Sequence, residues 1–347
     1  MSAAQCIEAG TRTAARAGGR VNWRRLFWIA LAVVVLGATF AYVPGHVDEL
    51  REEVRRIEGG DWHWLGFAIA LEVVSFAGYV LLFRAVFSSG ETPIGWGTSY
   101  QITMAGVIAT RLLAAAGAGG VALTAWALRR AGMDAATVAR RMVAFLVLLY
   151  SVYVIALLVC GLGLWLGILP GEAPDALTLP PAILGAVAIA VALGAAALPR
   201  GLGTDRSSRI LRVGGRWLNT VASGVRDAIR MLRERPLAVL GAPIWWGFDI
   251  AVLWASFRAF GSPPAVGVVI LAYFVGTLGN LLPLPGGVGG VDGGIIAALI
   301  GFGADPGVAV LAVLAHRVFA FWLPTVPGAI AYFQLRRAVG RWESQPA

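Results

Sequence analysis

The sequence lacks lysine altogether and is poor in charged residues of either sign. All 28 basic residues are arginine, and charged residues make up only 14% of the 347-residue chain. Soluble domains carry roughly 25% charged residues, so the composition excludes an ordinary soluble enzyme and predicts that most of the chain lies in lipid. The lack of lysine also argues against a phosphate-binding loop of the Walker type, and with it against ATP-driven transport by this chain.

Histidine and cysteine are equally scarce. The three histidines, His46, His63 and His316, are far apart and form no cluster with the spacing of metal ligands. Cys6 lies in the polar amino-terminal arm and Cys160 in an apolar run, so no disulfide or metal framework is implied. Nucleophile motifs such as G-x-S-x-G are missing, and the polar loops are too short for a soluble catalytic domain. We therefore expect no enzyme activity, no metal and no cofactor.

Hydrophobic residues make up 58% of the chain and form runs close to the roughly 20 residues needed to cross a bilayer. This pattern predicts an all-α polytopic membrane protein with about six full spans. The predicted spans are Leu26–Val43, Trp64–Phe87, Met142–Leu169, Pro181–Leu198, Leu237–Phe260 and Val308–Leu335. Two further apolar regions, Thr98–Arg129 and Val266–Ile300, are interrupted by glycine, and each is expected to hold a hairpin of two short helices, re-entrant or simply short.

Arginine placement predicts how the spans are oriented. Residues 1–25, 200–235 and 336–347 are rich in arginine, whereas the loop PGEAPDALTLP has none. Because positive loops stay inside, the rich segments and both termini should be cytoplasmic, in a multi-pass protein of the inner or plasma membrane. This orientation is possible only if each hairpin enters and leaves the membrane on the same side. The expected organisation is a cytoplasmic basic arm (1–25), one integral membrane domain (26–335) with halves 26–199 and 236–335 joined by a cytoplasmic connector, and a tail (336–347).

Two polar stretches carry apolar stripes that are typical of helices lying on a membrane surface. One stripe consists of Val47, Leu50, Val54 and Ile57. The other, in the connector, consists of Ile210, Val213, Trp217, Val221 and Val225, and it suits the anionic cytoplasmic leaflet. Both a plain connection between spans and a regulatory role fit these patterns.

The second hairpin contains LLPLPGGVGGVDGG, which starts at Leu281 and surrounds Asp292 with two prolines and six glycines. The first hairpin repeats its order: both read G-x-G-G-V and later A-L-x-x-x-G-x-D. The shared order predicts an internal duplication, with chance similarity in a glycine-rich sequence as the alternative. The matched residues are Gly117, Gly119, Gly120, Val121, Ala127, Leu128, Gly132 and Asp134 against Gly287, Gly289, Gly290, Val291, Ala298, Leu299, Gly303 and Asp305.

The predicted orientation makes the two copies enter the membrane from opposite faces, as the inverted repeats of many transporters do. Prolines end the incoming helix and glycines allow the turn. Unpaired backbone groups are costly in hydrocarbon, so such a break is stable only inside protein or beside a polar cavity. The following helix would then point its first amides at an anion such as phosphate. Tight glycine packing without a ligand is the alternative.

Charged residues within the membrane are costly and mark functional sites. Arg111 precedes the first glycine motif and Arg317 follows the second, and arginine suits phosphate because its planar group donates two parallel hydrogen bonds. Alternatively, Arg111 and Asp292 form a buried structural pair, and His316 donates to a backbone carbonyl. The expected substrate-binding residues are Arg111, Gly117, Gly119, Gly120, Pro285, Gly287, Gly289, Asp292 and Arg317, with Glu72 and Asp249 balancing charge or relaying protons.

The region PLPGGVGGVDGGIIAALIGFGADPGVAVLAVLAHRVFAFWLP resembles the flippase-like family also called the lysylphosphatidylglycerol synthase transmembrane domain. The family motif of proline, glycines and an acidic residue is matched by Pro285, Gly287, Gly289 and Asp292, and its later arginine by Arg317. Asp292 stands where the family usually has glutamate. The first hairpin resembles an earlier family motif, with alanine and glycine in place of its usual proline and acidic residue, so a carboxylate in both halves is not expected.

The resemblance covers nearly the whole chain and implies a protein that moves, or helps to move, a lipid between leaflets. The implied partners are membrane lipids with an anionic or polyprenyl-linked headgroup, and no nucleic acid. The alternative is an accessory membrane subunit that supports a glycosyltransferase or lipid-modifying enzyme and moves nothing. The sequence has no counterpart of the soluble aminoacyl-transferring domain of lysyl-lipid synthases, so synthesis of lysylphosphatidylglycerol is not expected.

Overall fold

The computed structural model describes residues 59–88, 94–112, 118–171, 174–199, 209–281 and 289–343. All regular structure in these ranges is helical. Three sequence predictions lie outside the described residues: the basic arm (1–25), the first span (Leu26–Val43) and the amino-terminal surface stripe from Val47 to Ile57.

The helices are numbered here in chain order. They are α1 (Trp62–Phe87), α2 (Trp96–Leu112), α3 (Ala118–Arg130), α4 (Ala135–Trp165), α5 (Asp175–Ala197), α6 (Arg209–Glu234), α7 (Pro236–Val239), α8 (Gly241–Phe260), α9 (Val266–Thr277), α10 (Gly290–Gly301), α11 (Pro306–Arg317) and α12 (Thr325–Glu343). A 3₁₀ turn, Leu278–Leu281, follows α9, and a π turn, Val318–Trp322, joins α11 to α12.

Within the described ranges, four helical segments are long and apolar enough to cross a membrane: α1, α4, α5 and the continuous segment Pro306–Arg341. Apolar side chains such as Val73, Val159 and Val191 point outward from them. Outward apolar surface is stable in lipid and costly in water. The predicted class, an all-α polytopic membrane protein, is therefore confirmed.

Several helices extend beyond the predicted spans into polar sequence. Helix α4 begins at Ala135 rather than Met142, since Asp134 caps it by accepting hydrogen bonds from the amides of Ala136 and Thr137. Helix α5 begins at Asp175 and includes Pro181 within its length. The predicted tail also begins inside a helix, because α12 continues to Glu343; residues 344–347 are not described.

The predicted span Leu237–Phe260 consists of α7 and the 20-residue α8. Helix α8 is not among the four long apolar segments, and it contains two charged residues, Asp249 and Arg258. More than half of its residues are buried inside the protein. It runs antiparallel to α1: the Asp61 amide donates to the Ala259 carbonyl at 3.0 Å. Helix α8 is thus an interior helix that carries a carboxylate into the core.

Each glycine-broken region holds two short helices, as predicted: α2 and α3 in the first hairpin, α9 and α10 in the second. Glycine lets the paired helices touch. A Cβ atom on Gly120 would lie 2.7 Å from the Gly106 carbonyl oxygen, and one on Gly294 would lie 2.9 Å from that of Gly276. Residues 113–117 and 282–288, which join the two helices of each hairpin, are outside the described residues.

The two hairpins end in the same local structure, as an internal duplication predicts. Gly132 and Gly303 both have a positive φ, of 93° and 83°, a conformation that favours glycine. Asp134 and Asp305, two residues further on, both cap the next helix through their side chains. Residues at matched sequence positions therefore have the same structural role in both hairpins.

The closing turns of the hairpins lie at opposite ends of α4. The first turn, at Gly132, leads directly into α4. The second shares a groove with Gly171, which lies beyond the other end of α4, and the groove also includes Pro264 and Asp305. Because α4 has 31 residues and is about 46 Å long, the hairpins enter the helical bundle from its two ends.

The connector helix α6 lies against the amino-terminal end of α4. The Arg140 Nε atom is 3.3 Å from Asp227 Oδ2 across this contact. The predicted apolar stripe is divided: Val225 is buried, whereas Val213 and Trp217 are exposed. The exposed half is the part of α6 that fits a membrane surface.

Candidate functional site

Arg111 lies in the last turn of α2, just before the first break, and it holds the π turn between α11 and α12. A π turn widens the helix and leaves carbonyl groups without their usual partners. The Arg111 guanidinium donates to the carbonyl of Phe321, to the carbonyl of Ala320 at 2.7 Å and to the Thr325 hydroxyl at 3.0 Å. Arg111 therefore satisfies backbone groups that would be costly to leave unpaired in a membrane.

The π turn also presents an aromatic ring to two arginines. The guanidinium carbon of Arg111 lies 4.6 Å from the centre of the Phe321 ring, and that of Arg317 lies 4.1 Å from it. Both distances are within the range of cation–π attraction. Phe321 thus brings two positive charges close together at the junction of α11 and α12.

Asp292 balances one of these charges. Its Oδ1 atom lies 3.3 Å from Arg317 Nη1, and its Oδ2 atom accepts a hydrogen bond from the Gly289 amide at 3.2 Å. Asp292 is in the first turn of α10, just after the second break, so this ion pair ties the second hairpin to α11. The alternative pairing of Arg111 with Asp292 was wrong, because Arg317 is the partner of Asp292.

The structure brings three of the predicted substrate-binding residues, Arg111, Asp292 and Arg317, to one place beside Phe321. Gly119 and Gly120 are buried at the start of α3, where they support the helix crossing, and Gly289 has a φ of 81° before α10. The remaining predicted residues lie outside the described part of the chain: Gly117, Pro285 and Gly287.

The predicted carboxylates Glu72 and Asp249 form a second, deeper cluster with Tyr273 and His316. Glu72 is 2% exposed and Asp249 6% exposed. The Tyr273 hydroxyl donates to Asp249 Oδ2, and His316 Nε2 lies 3.6 Å from the same oxygen. His316 Nε2 therefore faces a carboxylate rather than the backbone carbonyl that was its predicted alternative.

The deeper cluster contains buried polar atoms whose hydrogen-bonding capacity is unused. Neither carboxylate oxygen of Glu72, nor Nε2 of His316, has a hydrogen-bond partner among the described residues. Glu72 and Asp249 both interact electrostatically with Arg111. The two clusters are therefore adjacent and electrostatically linked, although only the first contains the ion pair.

Sequence reasoning missed Tyr273 and Phe321. Both lie inside apolar runs, and an aromatic residue there is usually core. The tyrosine carried one usable signal, because a buried tyrosine hydroxyl normally requires a partner. For Phe321 the cause is the π turn. Pro324 is a local signal for this turn, because proline has no N–H group to bond to the Ala320 carbonyl four residues earlier, but the contact with Arg111 on α2 has no signature in the local sequence.

The two clusters differ in how accessible they are. The side chains of Arg317 and Asp292 are 14% and 16% exposed, whereas Glu72, Asp249 and His316 are buried. Two grooves lie elsewhere: one of about 620 Å³ between α4 and α6, and one of about 260 Å³ beside Gly171. Within the ranges described, no three His, Cys, Asp or Glu side chains are grouped to hold a metal ion.

This arrangement is suited to binding an anion with several oxygens. Two guanidinium groups on one ring can each donate a pair of parallel hydrogen bonds to phosphate oxygens. Arg111 donates from only part of its guanidinium group to the π turn, so it can bind an anion with its remaining N–H groups, and the carboxylate that pairs with Arg317 is partly exposed.

Comparison with known proteins identifies the family. Residues 16–328 match the family described as the lysylphosphatidylglycerol synthase TM region. Two relatives from Methanothermobacter thermautotrophicus are each named UPF0104 membrane protein: one is 35% identical over 109 residues, 30% of this chain and 32% of the relative, and the other is 37% identical over 122 residues, 33% of each. The chain thus spans about a third of the length of these relatives. With its apolar helices and this match, the chain is a multi-pass membrane protein that belongs to the lysylphosphatidylglycerol synthase TM region family.

Proposed function

We propose that the protein binds the phosphate-bearing headgroup of a phospholipid or a polyprenyl-linked lipid and moves it between the leaflets of the cell membrane without changing it chemically. The observation that carries this proposal is the placement of Arg111 and Arg317 over Phe321, beside the breaks of both hairpins. Each arginine also has a structural contact, but two positive charges on one ring form a site that attracts an anion.

The charges around Phe321 support exchange with a headgroup. A phosphate that enters can take the place of the carbonyl groups at Arg111 and of Asp292 at Arg317. Hydrogen bonds between guanidinium and phosphate are charge-assisted, and they are stronger than those from a guanidinium to neutral carbonyls. The bound phosphate would therefore release the π turn from Arg111, which gives the headgroup a direct mechanical effect on the α11–α12 junction.

The paths of the two hairpins support access from both leaflets. The hairpins enter from opposite ends of α4, and the residues flanking their breaks meet beside Phe321. Transporters with inverted repeats bind their substrate at such a junction of broken helices and expose it to each side in turn. We assign the end of α4 near Asp134 to the cytoplasm, because α6 and its arginines lie there. Both termini would then be cytoplasmic.

The proposal is tested with purified protein in phosphatidylcholine vesicles that contain a trace of phosphatidylglycerol with a fluorescent headgroup. A membrane-impermeant reductant bleaches the outer leaflet, and further bleaching reports lipid movement. We expect Arg111→Ala and Asp292→Ala to abolish movement. Arg258→Ala is the matched control, because Arg258 contacts Trp64 and Trp254 instead of Phe321.

Unchanged movement in both Arg111→Ala and Asp292→Ala, with the variants folded, would overturn the proposal. If the wild-type protein moves no lipid but co-purifies with a glycosyltransferase or lipid-modifying enzyme whose activity it supports, an accessory role replaces transport.

A further inference from the structure

We propose that lipid movement is coupled to a proton bound by the buried cluster of Glu72, Asp249, Tyr273 and His316. This inference rests on the proposed transport of a phosphate-bearing lipid and adds its energy source. The proton-binding cluster is distinct from the headgroup site at Phe321, but it lies within electrostatic reach of Arg111.

The surroundings of Glu72 favour a bound proton. Its carboxyl group is almost completely buried, and no donor among the described residues bonds to its oxygens when both carboxyl groups are ionised; Asp249 can pair with it only if one of the two carries a proton. A second carboxyl group, Asp249, lies close enough to interact with it. Burying one unpaired carboxylate is costly, and burying two that repel each other is costlier still. One proton shared by the pair removes both costs.

Asp249, Tyr273 and His316 offer that proton other positions. Asp249 accepts a hydrogen bond from Tyr273 and lies 3.6 Å from His316 Nε2. That separation is slightly longer than a hydrogen bond, so a small shift of α11 would complete the contact. The Nε2 atom of His316 faces Asp249 Oδ2, so the imidazole ring offers a second position for the proton of the carboxyl pair.

The charged and titratable groups facing the cluster come from several helices. Arg111 on α2 interacts with both carboxyl groups, and Arg317 on α11 interacts with Arg111. Tyr273 also interacts with Tyr153 on α4. Arg111 thus links the proton site to the proposed headgroup site.

This shared cation sets the sign of the coupling. Arg111 carries a positive charge close to the carboxyl pair, so it repels a proton bound there. A phosphate bound at Arg111 cancels its charge, which favours proton binding by the carboxyl pair. Coupling between two sites is reciprocal, so a bound proton also strengthens phosphate binding. Lipid and proton should therefore cross together in the same direction. The negative charge of one phosphate then cancels the positive charge of one proton.

The first test is a gradient in the vesicle assay with fluorescent phosphatidylglycerol. When the vesicle interior is one pH unit more alkaline than the outside, we expect the label to accumulate in the inner leaflet, by about tenfold if one proton crosses with each lipid. For Glu72→Gln, the ratio of movement with and without the gradient should fall to one. Ser75→Ala is the matched control on α1, because Ser75 is equally buried and bonds to the Trp245 carbonyl outside the cluster.

The second test asks directly whether the cluster holds a proton. Infrared difference spectroscopy of the solubilised protein should show a protonated carboxyl band that is missing in Glu72→Gln and that grows when short-chain phosphatidylglycerol is added. If no band is lost in Glu72→Gln, the proton site is overturned. If the wild-type protein moves lipid at the same rate with and without the gradient, the coupling is overturned and the proposed transport stands. If the wild-type protein moves no lipid, both the transport and its coupling are overturned.

Discussion

Arg111 and Arg317 place their guanidinium groups over one side chain, the ring of Phe321, at 4.6 and 4.1 Å from its centre. The two arginines come from different parts of the chain, one before the first hairpin break and one after the second hairpin. Like charges repel at this separation, so the arrangement is held by other contacts: carbonyl groups bind Arg111, and Asp292 binds Arg317. An anion bound between them, as the proposed function requires, would relieve this repulsion.

We expect Phe321→Leu to slow lipid movement at least tenfold. The substitution keeps an apolar side chain but removes cation–π attraction worth about 0.5–2 kcal/mol for each arginine, so the two guanidinium groups would be less well positioned together for one phosphate. Phe321→Tyr keeps the ring and should retain most of the rate. Initial rates in the vesicle assay provide the measurement.

Phe333→Leu is the control for Phe321→Leu, because Phe333 is an exposed phenylalanine on α12. A Phe321→Leu variant that is folded and as fast as wild type would show that the ring has no part in binding the headgroup.

Substitution by alanine should destabilise the protein at one of two adjacent glycines in α10 and not at the other. A Cβ atom at Gly294 would lie 2.9 Å from the Gly276 backbone, whereas one at Gly293 would meet nothing within 4 Å. Gly294→Ala should therefore force α9 and α10 apart and destabilise the protein by about 1–3 kcal/mol. Gly293→Ala should be neutral or stabilise it by up to about 1 kcal/mol, because alanine favours helix.

Thermal unfolding in detergent compares the two glycine variants directly. Equal destabilisation by both would mean that glycine in this motif is required for backbone freedom and not for helix contact. Loss of movement in Gly293→Ala with a stable fold would instead point to a ligand at that surface.

The sequence was sufficient to predict elements whose signal is local. The apolar runs, the two helices of each hairpin and the matched turns at Gly132 and Gly303 all follow from hydrophobicity, glycine and capping residues. The sequence did not predict the ends of helices that extend into polar sequence, as α4 does at Ala135. A hydropathy pattern reports lipid contact and not the backbone hydrogen bonds that define a helix.

The composition of the site was partly predictable, but its contacts were not. Costly charges in apolar sequence identified Arg111, Asp292 and Arg317 as a group. Their pairing depends on which helices touch, so Arg317 and not Arg111 binds Asp292. Pro324 marks an interruption of the helix beside Phe321, but the hydrogen bonds that Arg111 of α2 donates to this turn are long-range, and no local pattern encodes them.

Asp134 should make the stability of the protein pH-dependent. Its hydrogen bonds, first of all to Thr137 and also to the Ala136 amide, hold the pKa of Asp134 below its ordinary value of 3.8. A carboxylate with a lowered pKa in the folded state stabilises the fold above 3.8 and loses that effect as the pH falls through the lowered pKa.

Thermal unfolding across this pH range tests the role of Asp134. The difference in melting temperature between wild type and Asp134→Ala should be largest at neutral pH and should shrink in acid. Asp134→Asn retains a capping oxygen that does not titrate, so this variant should keep much of the stability and show a weaker pH dependence. A difference between wild type and Asp134→Ala that does not change with pH would contradict the assignment.

The two hairpins should be labelled from opposite sides of the membrane. Ala135 follows the closing turn of the first hairpin, and Ser262 lies beside the closing turn of the second, at the other end of the bundle; both residues are exposed. In a background with Cys6 and Cys160 replaced by serine, a membrane-impermeant maleimide added to intact spheroplasts should label Ser262→Cys but not Ala135→Cys. Both should react after permeabilisation.

This labelling experiment separates the direction of the hairpins from the existence of the site. If only Ala135→Cys reacts in intact spheroplasts, the arginine-rich end is outside and the orientation is reversed, but the hairpins still enter from opposite faces. If both positions react from the same side, the hairpins share a face, and alternate exposure of the Phe321 region to the two leaflets loses its structural basis. The charged cluster would then serve a lipid bound from a single leaflet, and the vesicle assay should show headgroup binding without movement across the bilayer.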